Sequence, residues 1–364
     1  MKKLITTASV NNQYQYQVTA EDANVSDQLR FFFNTVPSGA QLDSVRKYIR
    51  LLKVMNMKTR IPNVHDLYVD NHNKEGVNLY IKGSVTEALL ADIKDRNITA
   101  LTLDVGDFGS LSFIHSFSDS IQKLRVSAQN VDWKSLAALK NLKVLRVSGD
   151  KNLDFDISCF KKLEVLQFQG NCFKSSISQL YSLKQLRINN WSEVDFSLLS
   201  NLSKLEKVRL VDALKLTTLN GLQCQNLQWL MIDRSPKLTC INALLDAKEL
   251  RCLEFISTKA IESYNALQNC HAIFSLELIK CRPIRSLSAF RHMQQLQWFG
   301  FGNTLVEDFD LTPLFDFSLL KKCTFKNHAD YNLTQRSLNK ALKDKWGESV
   351  DDSDHDSFYK PFVV

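Results

Sequence analysis

Two groups of side chains in this 364-residue chain have the types and spacing to do chemistry. The first pairs thiol with imidazole: Cys270 and His271 are adjacent, and Cys281 follows in the same apolar region. With a further ligand such groups hold zinc. The surroundings do not support that chemistry, since these residues fall where core and strand-end residues are expected. The eight cysteines (159, 172, 224, 240, 252, 270, 281 and 323) form no Cys-x-x-Cys pair, and the seven histidines (65, 72, 115, 271, 292, 328 and 355) form no His-Glu-x-x-His. With 11 glycines, the chain has neither a phosphate-cradling glycine loop nor a Gly-x-Ser-x-Gly turn. The expectation is a chain without catalytic residues, metal or cofactor, and not an enzyme.

The second group recognises rather than reacts. Arg125, Arg146, Arg187 and Arg209 are separated by 21, 41 and 22 residues, and Trp229 and Trp298 continue the same rhythm further on. Guanidinium groups pair with carboxylates in fixed geometry, and exposed arginine with tryptophan is the composition of interface hot spots. Such side chains act together only if a regular element brings them to one surface, so the elements come next.

An apolar-x-x-apolar-x-apolar pattern recurs through most of the chain. It reads Leu142-Lys-Val-Leu145-Arg-Val147, Leu163-Glu-Val-Leu166-Gln-Phe168, Leu183-Lys-Gln-Leu186-Arg-Ile188 and Leu205-Glu-Lys-Val208-Arg-Leu210. It continues through Leu227 to Ile232, Leu250 to Phe255, Ile273 to Leu278, Leu296 to Phe301 and Leu320 to Phe325, with fainter copies at Leu79, Leu101 and Leu124. The middle apolar residues fall at 79, 101, 124, 145, 166, 186, 208, 230, 253, 276, 299 and 323, in steps of 20 to 24. Alternation at Leu-x-Leu predicts a short strand with its apolar side inward. A second set of anchors (Leu136 and Leu139, Leu199 and Leu202, Leu244 and Leu245, Leu287 and Phe290) predicts a helical turn or coil behind each strand. One such unit cannot bury its apolar side alone, so neighbours must stack.

From about Val77 to Asn327 the sequence resembles the leucine-rich-repeat superfamily, nearest its short internalin-like repeats. The resemblance implies an α/β solenoid: a curved arc with a parallel β-sheet on the concave face, a helical or irregular convex side, and a cap at each end. Many members carry Asn three residues after the last strand apolar, satisfying buried peptide groups. Here only Asn171 matches; the other positions hold Asp150, Trp191, Ala213, Ser235, Thr258, Cys281 and Thr304. Other groups or water must serve those peptides, and the arc is expected to be irregular.

The ends break the repeat. Residues 1–62 are expected to form an N-terminal cap region, helical in part, with an amphipathic helix over Asp43 to Met57 ended by Pro62. The alternative is a small domain with its own function. Residues 63–330 form the solenoid of about 12 strands. Within it, Val64 to Val69 and Val77 to Ile81, flanking Asn71 to Gly76, suggest a hairpin. Residues 331–364 combine a capping helix, with Leu338, Leu342 and Trp346 on one stripe, and an acidic tail from Glu348 to Asp356. The apolar run after Met1 is over by Asn11, too short for a secretory leader, and no stretch approaches the roughly 20 apolar residues of a membrane span. Scattered cysteines and no leader predict a cytoplasmic protein.

The non-apolar strand positions stack into columns on the concave face. Arg125, Arg146, Arg187, Arg209, Met231, Glu254 and Glu277 share the central column; Lys207, Trp229 and Trp298 precede it, and Ile256 follows it. One zone is basic and polar and the other aromatic and aliphatic, and together these eleven are the candidate partner-binding residues. The formal net charge of +7 permits an anionic partner without implying nucleic acid, and Glu254 and Glu277 interrupt the basic face. The expected partner is one specific protein, with no membrane. Likeness to intracellular bacterial leucine-rich proteins without a catalytic domain implies an immunity protein neutralising a toxin domain through an acidic surface. An adaptor or regulatory subunit, or a host-targeting effector, is the alternative; nucleic-acid binding ranks below both.

Overall fold

The computed structural model describes residues 98–347 except 105, 150–152 and 154, together with strands at 4–10, 14–20, 28–30, 58–61, 67–69 and 77–81. The chain divides into two compact units, residues 1–176 and 177–364.

The first unit opens with a hairpin of β1 (Leu4–Val10) and β2 (Tyr14–Ala20), paired antiparallel from Leu4↔Ala20 to Val10↔Tyr14. The short apolar run at the start of the chain is one half of that hairpin. Next come β3 (Gln28–Arg30), β4 (Lys58–Ile61) and β5 (Leu67–Val69), a separate sheet in which β4 pairs parallel with β3 and antiparallel with β5. The helix expected over Asp43 to Met57 lies outside the described residues. The expected hairpin is corrected: β5 and β6 (Val77–Ile81) are both strands, but they belong to different sheets. The strand β6 carries Leu79 and Ile81, both buried, and these follow the repeat instead of the turn composition. It pairs in parallel with β7 (Ile98–Leu103), which leads through β8 (Asp107–Phe108), β9 (Lys123–Val126), β10 (Asn130–Val131) and the short helix α1 (Trp133–Leu136) to β11 (Val144–Val147) and β12 (Val165–Gln169). The parallel order is β6-β7-β9-β11-β12, with Leu79↔Leu101, Leu101↔Leu124, Leu124↔Leu145 and Leu145↔Leu166 in register.

Among its described residues the second unit has seven parallel strands in sequence order: β13 (Gln185–Asn189), β14 (Lys207–Val211), β15 (Trp229–Asp233), β16 (Cys252–Ile256), β17 (Ser275–Ile279), β18 (Trp298–Phe301) and β19 (Lys322–Phe325). Their register runs Leu186↔Val208↔Leu230↔Leu253↔Leu276↔Phe299↔Cys323, so each middle apolar residue of the repeat meets its equivalent. All seven are buried, and each contributes about 1.5–3 kcal/mol by leaving water. Behind the strands the expected turns are 3-10 in geometry, for example Ser197–Leu199, Asn242–Asp246, Asn265–Leu267 and Leu287–Phe290, burying Leu199, Leu244, Leu267, Leu287 and Phe290.

Six of the seven strands, β13 to β18, are followed by a backbone feature that the apolar pattern does not show. Asn190, Asp212, Arg234, Ser257, Lys280 and Asn303 all adopt positive φ, between 54° and 60°. For an L-residue this costs on the order of 1 kcal/mol, offset here by a hydrogen bond. The amide of Asp212 donates to Asp233 O (3.0 Å), that of Arg234 to Ile256 O (2.9 Å) and that of Ser257 to Ile279 O (2.8 Å). The left-handed residue thus carries the strand ladder one bond further before the chain turns away.

The buried position beyond it, where the resemblance implies Asn, holds Trp191 after β13 and then smaller groups: Ala213, Ser235, Thr258, Cys281 and Thr304. The Cys281 amide donates to Thr304 Oγ1 (2.9 Å), and that hydroxyl donates to Leu278 O (2.5 Å). Cys281 Sγ lies 3.0 Å from Phe255 O and 3.2 Å from Thr258 Oγ1. Thiol and hydroxyl therefore do the work of an amide side chain from Thr258 to Thr304.

After β19, the helix α2 (Gln335–Trp346) begins in a capping box between Thr334 and Ser337 and buries Leu338 and Leu342. Its side chains bond the outer edge of the last repeat. The Phe325 amide donates to Gln335 Oε1 (2.7 Å) and Gln335 Nε2 donates to Cys323 O (2.7 Å), the two bonds a further strand would make. Trp346 Nε1 donates to Leu320 O, also at 2.7 Å.

Candidate functional site

The strand face of the second unit gathers most of the candidate residues. Strand register sets three columns on it. The first runs Gln185, Lys207, Trp229, Cys252, Ser275, Trp298, Lys322; the second Arg187, Arg209, Met231, Glu254, Glu277, Gly300, Thr324. The third runs Asn189, Val211, Asp233, Ile256, Ile279. All three follow from the two-residue period of a strand, since these positions alternate with the core.

Exposure divides this face. On β13 and β14 the outward side chains are half-buried, Arg187, Lys207 and Arg209 among them. On β16 the outward Cys252 and Glu254 are buried as fully as the inward residues while Ile256 stays half-buried, and on β18 every position is buried. The sequence expectation of exposed tryptophans is corrected here: Trp229 is 4% exposed and Trp298 6%, and Glu254 is 7% exposed. Large side chains on neighbouring strands pack on each other here. Trp229, Cys252, Phe274 and Trp298 form a buried cluster with Met231 against it. Phe274 meets Trp298 edge-on, with centroids 5.5 Å apart. Cations cover the aromatic faces: the Arg251 guanidinium lies 5.4 Å from the Phe274 centroid, and Lys321 Nζ 5.4 Å from that of Trp298.

The polar members of the face are tied into this cluster. Trp229 Nε1 donates to Glu254 Oε1 at 2.9 Å, giving a buried carboxylate an indole partner. Glu277, the strand neighbour of Glu254, has its carboxyl pushed above the usual range by burial. It lies against the bare backbone of Gly300, where a Cβ would sit 3.5 Å from Glu277 Cγ and 3.2 Å from Thr324 Oγ1. At the other end, Arg209 Nε donates to Met231 Sδ at 3.0 Å. Desolvation pulls the Lys207 ammonium below its ordinary range, with Glu206 acting in the opposite direction. The face therefore reads, from β14 to β19, as cationic, then aromatic and acidic, then cationic again at Lys321 and Lys322.

Arg125 and Arg146 belong to the first unit, as direct register partners on β9 and β11. Burial lowers the Arg146 pKa first and the charge of Arg125 second, the expected cost of stacking like charges one strand apart. Beside them, Ser127 and Ser148 join hydroxyls at 3.0 Å.

The structure does not assemble the thiol–imidazole group into a site. Cys281 lies in the buried ladder, Cys270 Sγ faces Leu244 O at 3.6 Å, and His271 Nδ1 faces His292 O at 3.4 Å. Among the described residues, no three His, Cys, Asp or Glu side chains are placed to hold a metal ion. Nor is any helix among them long and apolar enough to cross a membrane. Sequence reasoning missed Phe274, Arg251 and Lys321, which precede the strands and complete the aromatic cluster. Their signal was an aromatic or basic residue at the head of the strand motif, beside the positions that were read as columns.

No family model matches the chain, and no curated protein matches it. Among solved structures, it is similar to an internalin from Listeria monocytogenes at 17% identity, covering 69% of this chain and 87% of that one, with a TM-score of 0.49. A leucine-rich-repeat protein from Leptospira interrogans is similar at 15% identity, over 68% of this chain and 72% of that one, with a TM-score of 0.46. A chain of the Toll–Spatzle complex from Drosophila is similar at 12% identity, over 88% of this chain and 47% of that one, with a TM-score of 0.47.

Proposed function

We propose that this chain is a leucine-rich-repeat protein and a non-catalytic binder of one specific protein, using the strand face of its second unit. The observation that carries this reading is the side-by-side placement of half-exposed Arg187, Lys207, Arg209, Met231, Ile256 and Glu277 in register on β13 to β17. A sheet face that shows partly desolvated cations next to aliphatic and thioether side chains has the makeup of an interface core. Trp229 and Trp298 act as its rigid floor and Glu254 as the floor's buried acceptor. Arg125 and Arg146 give the first unit a basic strand face of its own.

Within this class, the reading we favour is a cytoplasmic bacterial immunity protein that neutralises a toxin domain with an acidic surface. The basic end of the face supports it, because cations at half-burial attract an acidic surface and speed its docking. An adaptor or a host-targeting effector would use the same residues. Capture from the native host with the full chain as bait distinguishes these: a toxin domain supports the immunity reading, and a ligase, phosphatase or host protein replaces it. The face itself is tested by Lys207→Glu with Arg209→Glu. This pair should abolish capture while the thermal midpoint stays within a few degrees, and undiminished capture rules the face out.

A further inference from the structure

The burial of this face poses a question of its own. On a single-layer sheet, outward side chains are buried by each other or by something lying over them, and in the same unit β13 and β14 leave theirs half-exposed. On β15 to β18 the outward Trp229, Glu254 and Trp298 are each at least nine-tenths buried. The described part of the second unit ends at Gly347, and α2 delivers that point close to the face. Lys345 Nζ donates to Ser318 O and Trp346 Nε1 to Leu320 O, both at 2.7 Å and both just before β19. Residues 348–364 lie outside the described residues.

The order of chemistry along those residues matches the order along the face. Leaving Gly347, the sequence is first acidic (Asp351, Asp352, Asp354, Asp356) and then aromatic around one cation (Phe358, Tyr359, Lys360, Phe362). Leaving β19, the face is first cationic (Lys321, Lys322) and then aromatic around two carboxylates (Trp298, Phe274, Glu277, Glu254, Trp229). Length permits the match: an extended chain covers about 3.3 Å per residue, so Lys360 reaches roughly 40 Å from Gly347, whereas β19 to β16 spans about 15 Å. We propose that this face is a docking surface for the chain's own residues 351–363, with Lys360 set against Glu254 and Glu277 and the aspartates against Lys321 and Lys322. A cation there offsets the cost of holding the buried Glu254 and the half-buried Glu277 on neighbouring strands. The inference rests on the binding reading above in one respect, that a partner must displace this segment to reach the face.

The test places a photoreactive benzoylphenylalanine at Tyr359 in the full-length chain, irradiates it dilute and maps the product by mass spectrometry. The expected result is a cross-link within one molecule to the stretch from Trp229 to Phe301. Lys360→Glu should lower its yield about tenfold, the factor corresponding to 1.4 kcal/mol, and Lys360→Arg should preserve it. Cross-links elsewhere, cross-links only between two copies, or a yield indifferent to Lys360→Glu overturn the proposal. If the cross-link fails while Lys207→Glu with Arg209→Glu still abolishes partner capture, self-docking falls and the partner face stands. If it forms while capture ignores that pair, the partner face falls and self-docking stands.

Discussion

The indole–carboxylate bond between Trp229 and Glu254 offers the most direct energetic probe of the face. Trp229→Phe keeps an aromatic ring in the cluster and removes the Nε1–H that Glu254 Oε1 accepts at 2.9 Å. Glu254→Leu keeps the volume and removes the acceptor, leaving the indole N–H behind. Each single change also alters packing around Cys252 and Trp298, so neither measures the bond by itself. The double-mutant cycle does. A hydrogen bond to a charged acceptor contributes about 1.5–3 kcal/mol, and at 4% and 7% exposure for its two partners solvent cannot replace it. The coupling should therefore fall in that range. Denaturant unfolding followed by fluorescence gives the four stabilities, with the transition of the second unit fitted separately because two compact units need not unfold together. A coupling below about 0.5 kcal/mol would refute the claim that this buried bond organises the face, for a bond that weak is typical of exposed pairs.

Four further substitutions test the same structure. Gly221→Ala should destabilise severely, by more than about 3 kcal/mol, because at φ +89° the new Cβ lies 2.5 Å from the Phe196 carbonyl carbon. Gly347→Ala, at a similar φ of +86° with no atom within 4 Å, should cost only about 1 kcal/mol, and thermal midpoints of the two compare clash with strain alone. Thr304→Val strands the Cys281 amide and the Leu278 carbonyl in the buried ladder and should cost about 1–3 kcal/mol by denaturant titration. Glu277→Gln concerns pH: burial raises the folded-state pKa above the unfolded one, so the wild type holds this contribution fully below about pH 4 and loses it as pH rises through the raised value. The glutamine variant should thus gain stability relative to wild type between about pH 4 and neutrality, and an unchanged difference across that window contradicts the assignment.

The strand register was legible because burial acts on a two-residue period. Every middle apolar residue from Leu79 to Cys323 is buried, and the ladder aligns one with the next within each unit. Side-chain columns followed from the same period, which is why Lys207, Arg209, Trp229, Met231, Glu254, Ile256, Glu277 and Trp298 share one face. What the pattern could not show is depth. Whether an outward Trp229 is exposed depends on residues one and two repeats away, Cys252 on β16 and Phe274 at the head of β17, both distant in sequence. The left-handed residues were equally hidden, because Asn190, Asp212 and Asn303 favour that conformation while Arg234, Ser257 and Lys280 adopt it only to complete the ladder. The hairpin expected between β5 and β6 failed for a related reason. Its turn composition was local, while the buried Leu79 and Ile81 align β6 with β7.

The central claim is that a protein partner is held by the strand face of the second unit and not by the turns behind it. Isothermal titration of the captured partner against two charge-reversal pairs tests this most directly. Lys207→Glu with Arg209→Glu alters the face; Lys237→Glu with Lys259→Glu alters exposed lysines in the turns that follow β15 and β16. The account predicts at least a hundredfold loss of affinity for the first pair, about 2.7 kcal/mol, and less than a threefold change for the second. Equal losses for both pairs, or a loss confined to the second, would contradict it.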